Sequence, residues 1–113
     1  MPRTVKHAPR ELLQGTVDVL ILKTLSRGEM HGYAISRWLH ERTTGVLALK
    51  DAGLYQALHR LQEKGLIESE WGASENNRRA RYYRLTRTGR AHLGTEAATW
   101  LRYADAVREV LAT

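Results

Sequence analysis

A chain of 113 residues with 42% hydrophobic and 27% charged side chains has the size of one domain with a single modest core. It contains no cysteine, which excludes disulfides and thiolate zinc sites and fits a reducing cytoplasm; no signal-like core opens it and no apolar run approaches the roughly 18 residues of a membrane span, so a cytoplasmic protein without a membrane partner is expected. The net charge of +6 favours a polyanionic partner, and its distribution says more than its total: between Gly72 and Arg90 six arginines stand against one acidic residue, Glu75.

Residues 1–8 carry Arg3, Lys6 and His7 without an apolar period and read as a flexible basic arm. Pro9 to Leu13 reads as a preliminary turn, and Thr16, after Gly15, as the N-cap of a first helix running to about Ser26. Val17, Leu20, Ile21 and Leu25 form one apolar stripe, and Val19 and Leu22 a second. A helix apolar on two sides must be covered on two sides, and in so small a domain the second cover is expected from another subunit.

Gly28 ends that helix, and His31-Gly32 opens the next, from Tyr33 to about Thr44, with Ala34, Ile35, Trp38 and Leu39 inward. Trp38 reads as core rather than as a cofactor platform. Val46, Leu47 and Leu49 make the loop from Gly45 to Lys50 too apolar for a solvated linker, so it is expected to pack on the domain.

Asp51 to Lys64 then repeats Leu54, Leu58 and Leu61 on one helical face, with Asp51 able to cap its start and Gly65 to end it. Tyr55, Gln56, His59 and Arg60 project from the other side, and these are side-chain types that read base edges and phosphates. After Gly65 the period changes to two. Leu66 to Trp71 and Arg81 to Leu85 read as paired strands, with Ile67, Trp71, Tyr83 and Leu85 inward and the Asn76-Asn77 turn suited to positive backbone angles.

Thr86 caps a last helix from Arg87 to about Leu111. Leu93, Ala97, Trp100, Ala104, Val107 and Leu111 are spaced 4, 3, 4, 3, 4, a heptad seam. About 25 residues at 1.5 Å rise make a rod near 37 Å, longer than a domain this size readily buries, so a partner helix and a homodimer are expected.

The fold class is therefore mainly α with a small β-hairpin (α+β). A winged helix-turn-helix domain occupies residues 9–86, with its recognition helix at 51–64 and its wing at 66–86, and residues 87–113 form one long dimerisation helix. In such an arrangement the third helix enters the major groove and the wing sets arginine against phosphates or the minor groove. The candidate DNA-binding residues are Lys50, Tyr55, Gln56, His59, Arg60, Arg78, Arg79 and Arg81, although Arg81, like Arg84, equally suits a strand edge. The five histidines show no metal-ligand spacing, and neither a glycine-rich phosphate loop nor a nucleophile elbow is present, so no catalysis and no cofactor are expected. A winged helix serving protein interaction or RNA binding is the alternative reading.

Leu12 to Leu22, then His31 to Ile35, then Gly53 to Leu61, and Asn76 to Thr86 resemble, in order, the successive signatures of PadR-type transcriptional regulators. The resemblance runs from about Leu12 to Gly89 and is closest to the short subgroup with a single C-terminal helix. It implies a homodimeric DNA-binding protein, usually a repressor acting on a pseudo-palindromic operator, with the C-terminal helix making much of the interface. It also implies release from DNA by small aromatic or drug-like effectors, often bound between subunits; Trp100 could line such a site, but a packed seam tryptophan is the preferred reading. Gly53 departs from the serine or threonine common there, and Gln56 from a frequent proline, so operator sequence does not carry over from relatives.

Overall fold

The computed structural model describes residues 7–113, with side chains from Gly15 onward. In chain order the elements are α1 (His7–Leu25), β1 (Met30–His31), α2 (Gly32–Arg42), α3 (Asp51–Glu63), β2 (Ile67–Ala73), β3 (Arg79–Leu85) and α4 (Arg87–Leu111). The strands form one antiparallel sheet in the order β1-β3-β2. This is the winged helix-turn-helix arrangement with one long C-terminal helix.

The start of α1 differs from expectation. The first six residues of the proposed arm lie outside the described residues, and its last two, His7 and Ala8, are already helical. Pro9 falls in the first turn, where its missing N–H would have had no helical partner. Gly15 and Thr16 therefore sit inside the helix rather than at its start, and the Thr16 hydroxyl accepts from Trp100 Nε1 at 2.9 Å. Helix-interior glycine costs about 1 kcal/mol relative to alanine, a penalty that packing along the rest of α1 outweighs. Ile21, Leu22 and Leu25 are buried, and α1 packs against α2, α3, β3 and α4. Much of its second cover thus comes from its own chain rather than from another subunit.

Helix α2 starts because His31, in extended backbone, accepts at Nδ1 from the Ala34 N–H at 3.2 Å, a side-chain cap. It runs to Arg42, two residues short of expectation. Trp38 packs against the core and Arg27 covers its ring at 5.1 Å. Of the following loop only Leu49 packs as expected; Val46, Leu47 and Ala48 are exposed. Thr44 takes a positive φ of 49° before Gly45, so the chain reverses there and its apolar tip points outward.

Helix α3 buries Leu54, Ala57, Leu58 and Leu61. Lys50 rather than Asp51 occupies the N-cap position, and no side chain caps it. At the other end the Leu66 N–H donates to the Leu61 carbonyl and the Gly65 N–H to that of Gln62, both at 3.0 Å, the paired bonds of a Schellman motif. The strands run longer and the turn shorter than expected, with Ile67 opposite Leu85 and Ala73 opposite Arg79. Asn77 alone takes the positive angle at the tip, φ 57°. Strand β1 was not legible at all, because two residues carry no period; it pairs Met30 with Tyr83 and His31 with Tyr82.

Ile67 and Tyr83 are buried and Leu85 packs on the core, but Trp71 is 52% exposed. It shares the inward face by alternation, yet the hairpin has by then run past the edge of the core. Burial pushes the Tyr83 phenol above its ordinary pKa, with the nearby Arg81 charge opposing.

Thr86 joins wing to α4: its N–H donates to the Leu66 carbonyl at 3.1 Å, its hydroxyl donates to the Gly65 carbonyl at 2.7 Å, and it accepts from Gly89 N at 2.9 Å. The approach is so close that a Cβ on Gly89 would stand 1.9 Å from the Leu66 carbonyl oxygen. Alanine for glycine normally favours a helix interior; here Gly89→Ala is expected to destabilise by about 2 kcal/mol, as overpacking does. A lowered urea midpoint at unchanged slope will show it.

The heptad seam is divided. Leu93 is 8% exposed and belongs to its own chain's core, and Ala97 packs beside it, so these two have little surface left for a partner. The folding-back that the length of α4 argued against does occur over its first half. Beyond it, Trp100, Leu101, Tyr103, Val107, Val110 and Leu111 are exposed, while Ala104 is half-buried. The molecule measures 54 × 29 × 27 Å, against a helix near 37 Å long at 1.5 Å per residue for about 25 residues.

Candidate nucleic-acid interface

With Leu54, Leu58 and Leu61 fixed in the core, the helical period turns Ala52, Gln56, His59 and Glu63 outward along one exposed ridge of α3. Gly53 lies beside Gln56 on this surface, and a Cβ there would meet nothing within 4 Å. Gln56 is therefore free to present its amide, which can donate and accept at once. His59 stands 3.5 Å from Glu63, a pair that is ionic only when the imidazole is protonated. Lys50 is exposed just ahead of the first turn.

Tyr55 is half-exposed and lies across the start of α2. A Cβ on Gly32 would stand 2.8 Å from its hydroxyl, so the absence of a side chain at Gly32 is what lets the ring settle there. Between this point and the wing runs an open groove of about 900 Å³, whose lining includes Tyr33, Arg37, Tyr55, Trp71, Arg79 and Arg81. Tyr33, Arg37 and Trp71 are groove residues that sequence reasoning did not place at the candidate site, Trp71 reading by alternation as an inward strand residue. Tyr33 is 67% exposed, and its signal was its place directly after His31-Gly32 at a helix start. Arg37 is held by Glu41 at 3.0 Å, and this hydrogen bond is the main cause raising its guanidinium pKa.

The arginines fall into two groups. Arg78 is exposed at the wing tip, where among the described residues no protein group pairs its guanidinium. Arg79 is also exposed and lies 4.2 Å from the centroid of the Trp71 ring, a cation–π distance. By contrast Arg60 does not face outward as the helical wheel suggested. It is half-buried and pairs through both Nε and a terminal nitrogen with Asp18 of α1, so it braces α3 against α1. Arg81 is half-buried, donates from Nε to the Ser69 hydroxyl at 2.8 Å and stands 5.2 Å from Trp71. Arg84 reaches Glu68 at 2.8 Å and Glu70 at 2.9 Å, and those hydrogen bonds raise its pKa. Arg81 and Arg84 are thus engaged within the hairpin, whereas among the candidate cations Lys50, Arg78 and Arg79 form no ion pair with another described residue, Arg79 lying only against the Trp71 ring.

Among the described residues no group of three histidines or carboxylates could hold a metal ion, and no helix is long and apolar enough to cross a membrane.

The family model described as the transcriptional regulator PadR-like family matches residues 21–95. An uncharacterized protein of Lysinibacillus sphaericus is 31% identical over 90 residues, covering 80% of this chain and 83% of that protein. Among solved structures, a transcriptional regulator from Clostridium thermocellum is similar with a TM-score of 0.77 and 30% identity over 88% of this chain and 93% of that one. A PadR family transcriptional regulator from Eggerthella lenta has a TM-score of 0.74 and 31% identity, covering 96% and 93%. A PadR-like transcriptional regulator from Bacillus cereus has a TM-score of 0.75 and 26% identity, covering 91% and 98%.

Proposed function

Since the chain belongs to the PadR-like family of transcriptional regulators, we propose that it is a sequence-specific repressor that binds a pseudo-palindromic operator as a homodimer. Its relatives are regulators rather than enzymes. The observation that carries the DNA reading is the exposed α3 ridge with Gln56 at its centre, flanked by the exposed wing-tip cations Arg78 and Arg79. Lys50 at the N-cap position and the half-exposed Tyr55 beside that ridge are assigned to the phosphate backbone, and His59 lies further along the ridge. Major-groove base edges carry a distinguishable donor and acceptor pattern, and the wing cations supply affinity that does not depend on sequence.

The exposed apolar end of α4 supports the dimer, its stripe now running through Trp100, Tyr103, Val107 and Leu111. Two-fold symmetry would set the α3 helices on half-sites about one helical turn, roughly 34 Å, apart. An aromatic effector bound between subunits would meet the exposed part of the Trp100 ring, whose Nε1 is already engaged by Thr16. The protein would work in the cytoplasm, where its operator is.

Selection from a random duplex pool tests this reading: an enriched pseudo-palindrome is the expected result. Enrichment of no duplex would turn the argument to the protein-interaction or RNA-binding alternative. On the selected operator, Gln56→Ala is expected to relax preference at one base pair per half-site by about 1–3 kcal/mol, the worth of a good bidentate contact. Competition among single-base operator variants measures it; an unchanged preference profile would remove Gln56 from direct readout.

A further inference from the structure

The reading helix and the wing are joined by a continuous line of side chains. The Ser69 hydroxyl on β2 donates to Gln62 Oε1, near the end of α3, at 2.9 Å, and its oxygen accepts from Arg81 Nε on β3 at 2.8 Å. Arg81 lies 5.2 Å from the centroid of Trp71, its cross-strand partner. On the same ring, at 4.2 Å, lies Arg79. One end of the line is therefore on α3 and the other is a cation near the wing tip.

The hairpin needs such a brace. Its root is fixed in the core by Ile67 and Tyr83, but from Trp71 outward it projects with little packing, and a two-stranded ribbon alone is marginally stable in water. Ser69 stands at the boundary, half-buried. Its hydroxyl donates to one neighbour and accepts from the other through a single atom. The flat Trp71 ring limits the freedom of the Arg79 guanidinium, so less entropy is lost when it meets an anion.

We infer that Ser69 is a positioning residue for DNA binding: it sets the wing relative to α3 through Gln62 and Arg81, and through Trp71 it holds Arg79 toward the duplex backbone. This rests on the DNA reading above and adds to it the element that makes helix and wing one surface.

A double-mutant cycle on duplex affinity in about 0.1 M salt tests it. Ser69→Ala is expected to weaken binding about fivefold, the worth of a typical net hydrogen bond. In an Arg79→Ala background the same change is expected to cost less than about twofold, because the residue it acts through is gone. Ser69→Thr, which keeps the hydroxyl, restores affinity, and Gln62→Ala reproduces the cycle from the helix side. Equal costs of Ser69→Ala in both backgrounds would overturn the inference, since a loss of general stability multiplies independently. If the unaltered protein bound no duplex, the DNA reading itself would fail and this inference with it; binding with an additive cycle removes the brace alone.

Discussion

Replacing Arg78 and Arg79 together with alanine is expected to weaken binding to every duplex, operator or not, by about 100-fold near 0.1 M salt, as four exposed contacts per dimer at roughly 0.7 kcal/mol each would give. Because each neutralised phosphate contributes about 0.9 to the slope of log affinity against log salt, losing four should flatten that slope by roughly 3.6. Titrations at several salt concentrations measure both quantities, and an unchanged slope would remove these residues from the interface. Base preference should survive, since phosphate contacts position the protein without reading sequence.

The same substitution elsewhere should act differently, which makes the prediction specific to the wing tip. Arg60→Ala would strand Asp18, so its cost should fall first on stability. Arg84→Ala removes a cation already shared by Glu68 and Glu70, and leaves those carboxylates facing solvent. Composition counts these arginines alike; hydrogen bonding within the folded chain separates them.

That contrast marks what was legible in the sequence. The order of helices, the span of α3 to within one residue, the wing and the Thr86 cap of α4 all follow from local period and capping chemistry, which is why they were readable. The rest depends on contacts distant in sequence. Thr16 reads as a cap because the chain before it lacks apolar period, and nothing local reveals that α1 begins at His7. Arg60 meets a partner 42 residues away, and Leu93 turns inward because α4 lies against α1. Trp71 alternates correctly yet emerges from the core, since alternation gives the face of a strand and not how far the core extends beneath it. At the candidate interface, the exposure of Gln56, Arg78 and Arg79 was legible because an outward helix face and a turn tip are local features. Tyr33 and Arg37 were passed over because the groove they line is made jointly by α2, α3, β2 and β3, which are distant in sequence.

Val107→Asp is expected to convert the proposed dimer to monomer and to lower affinity for the proposed palindrome by between about 10² and 10⁴, the gain that linking two binding modules typically confers. Val107 belongs to none of the buried core and is 39% exposed, so the single-chain fold should survive, and circular dichroism should retain its helical signal. Within a packed helix pair the new carboxylates would be buried near one another across the two-fold axis, which costs several kcal/mol unless the subunits part. This site tests the interface more cleanly than Trp100, whose Nε1 also binds Thr16 of its own chain. Sedimentation at micromolar concentration, together with binding to an isolated half-site, separates the two effects: mass should halve while half-site affinity stays constant. A dimer of unchanged mass would show that the distal stripe of α4 is not the interface. A monomer with reduced half-site affinity would mean instead that pairing of the helices also shapes the winged domain itself.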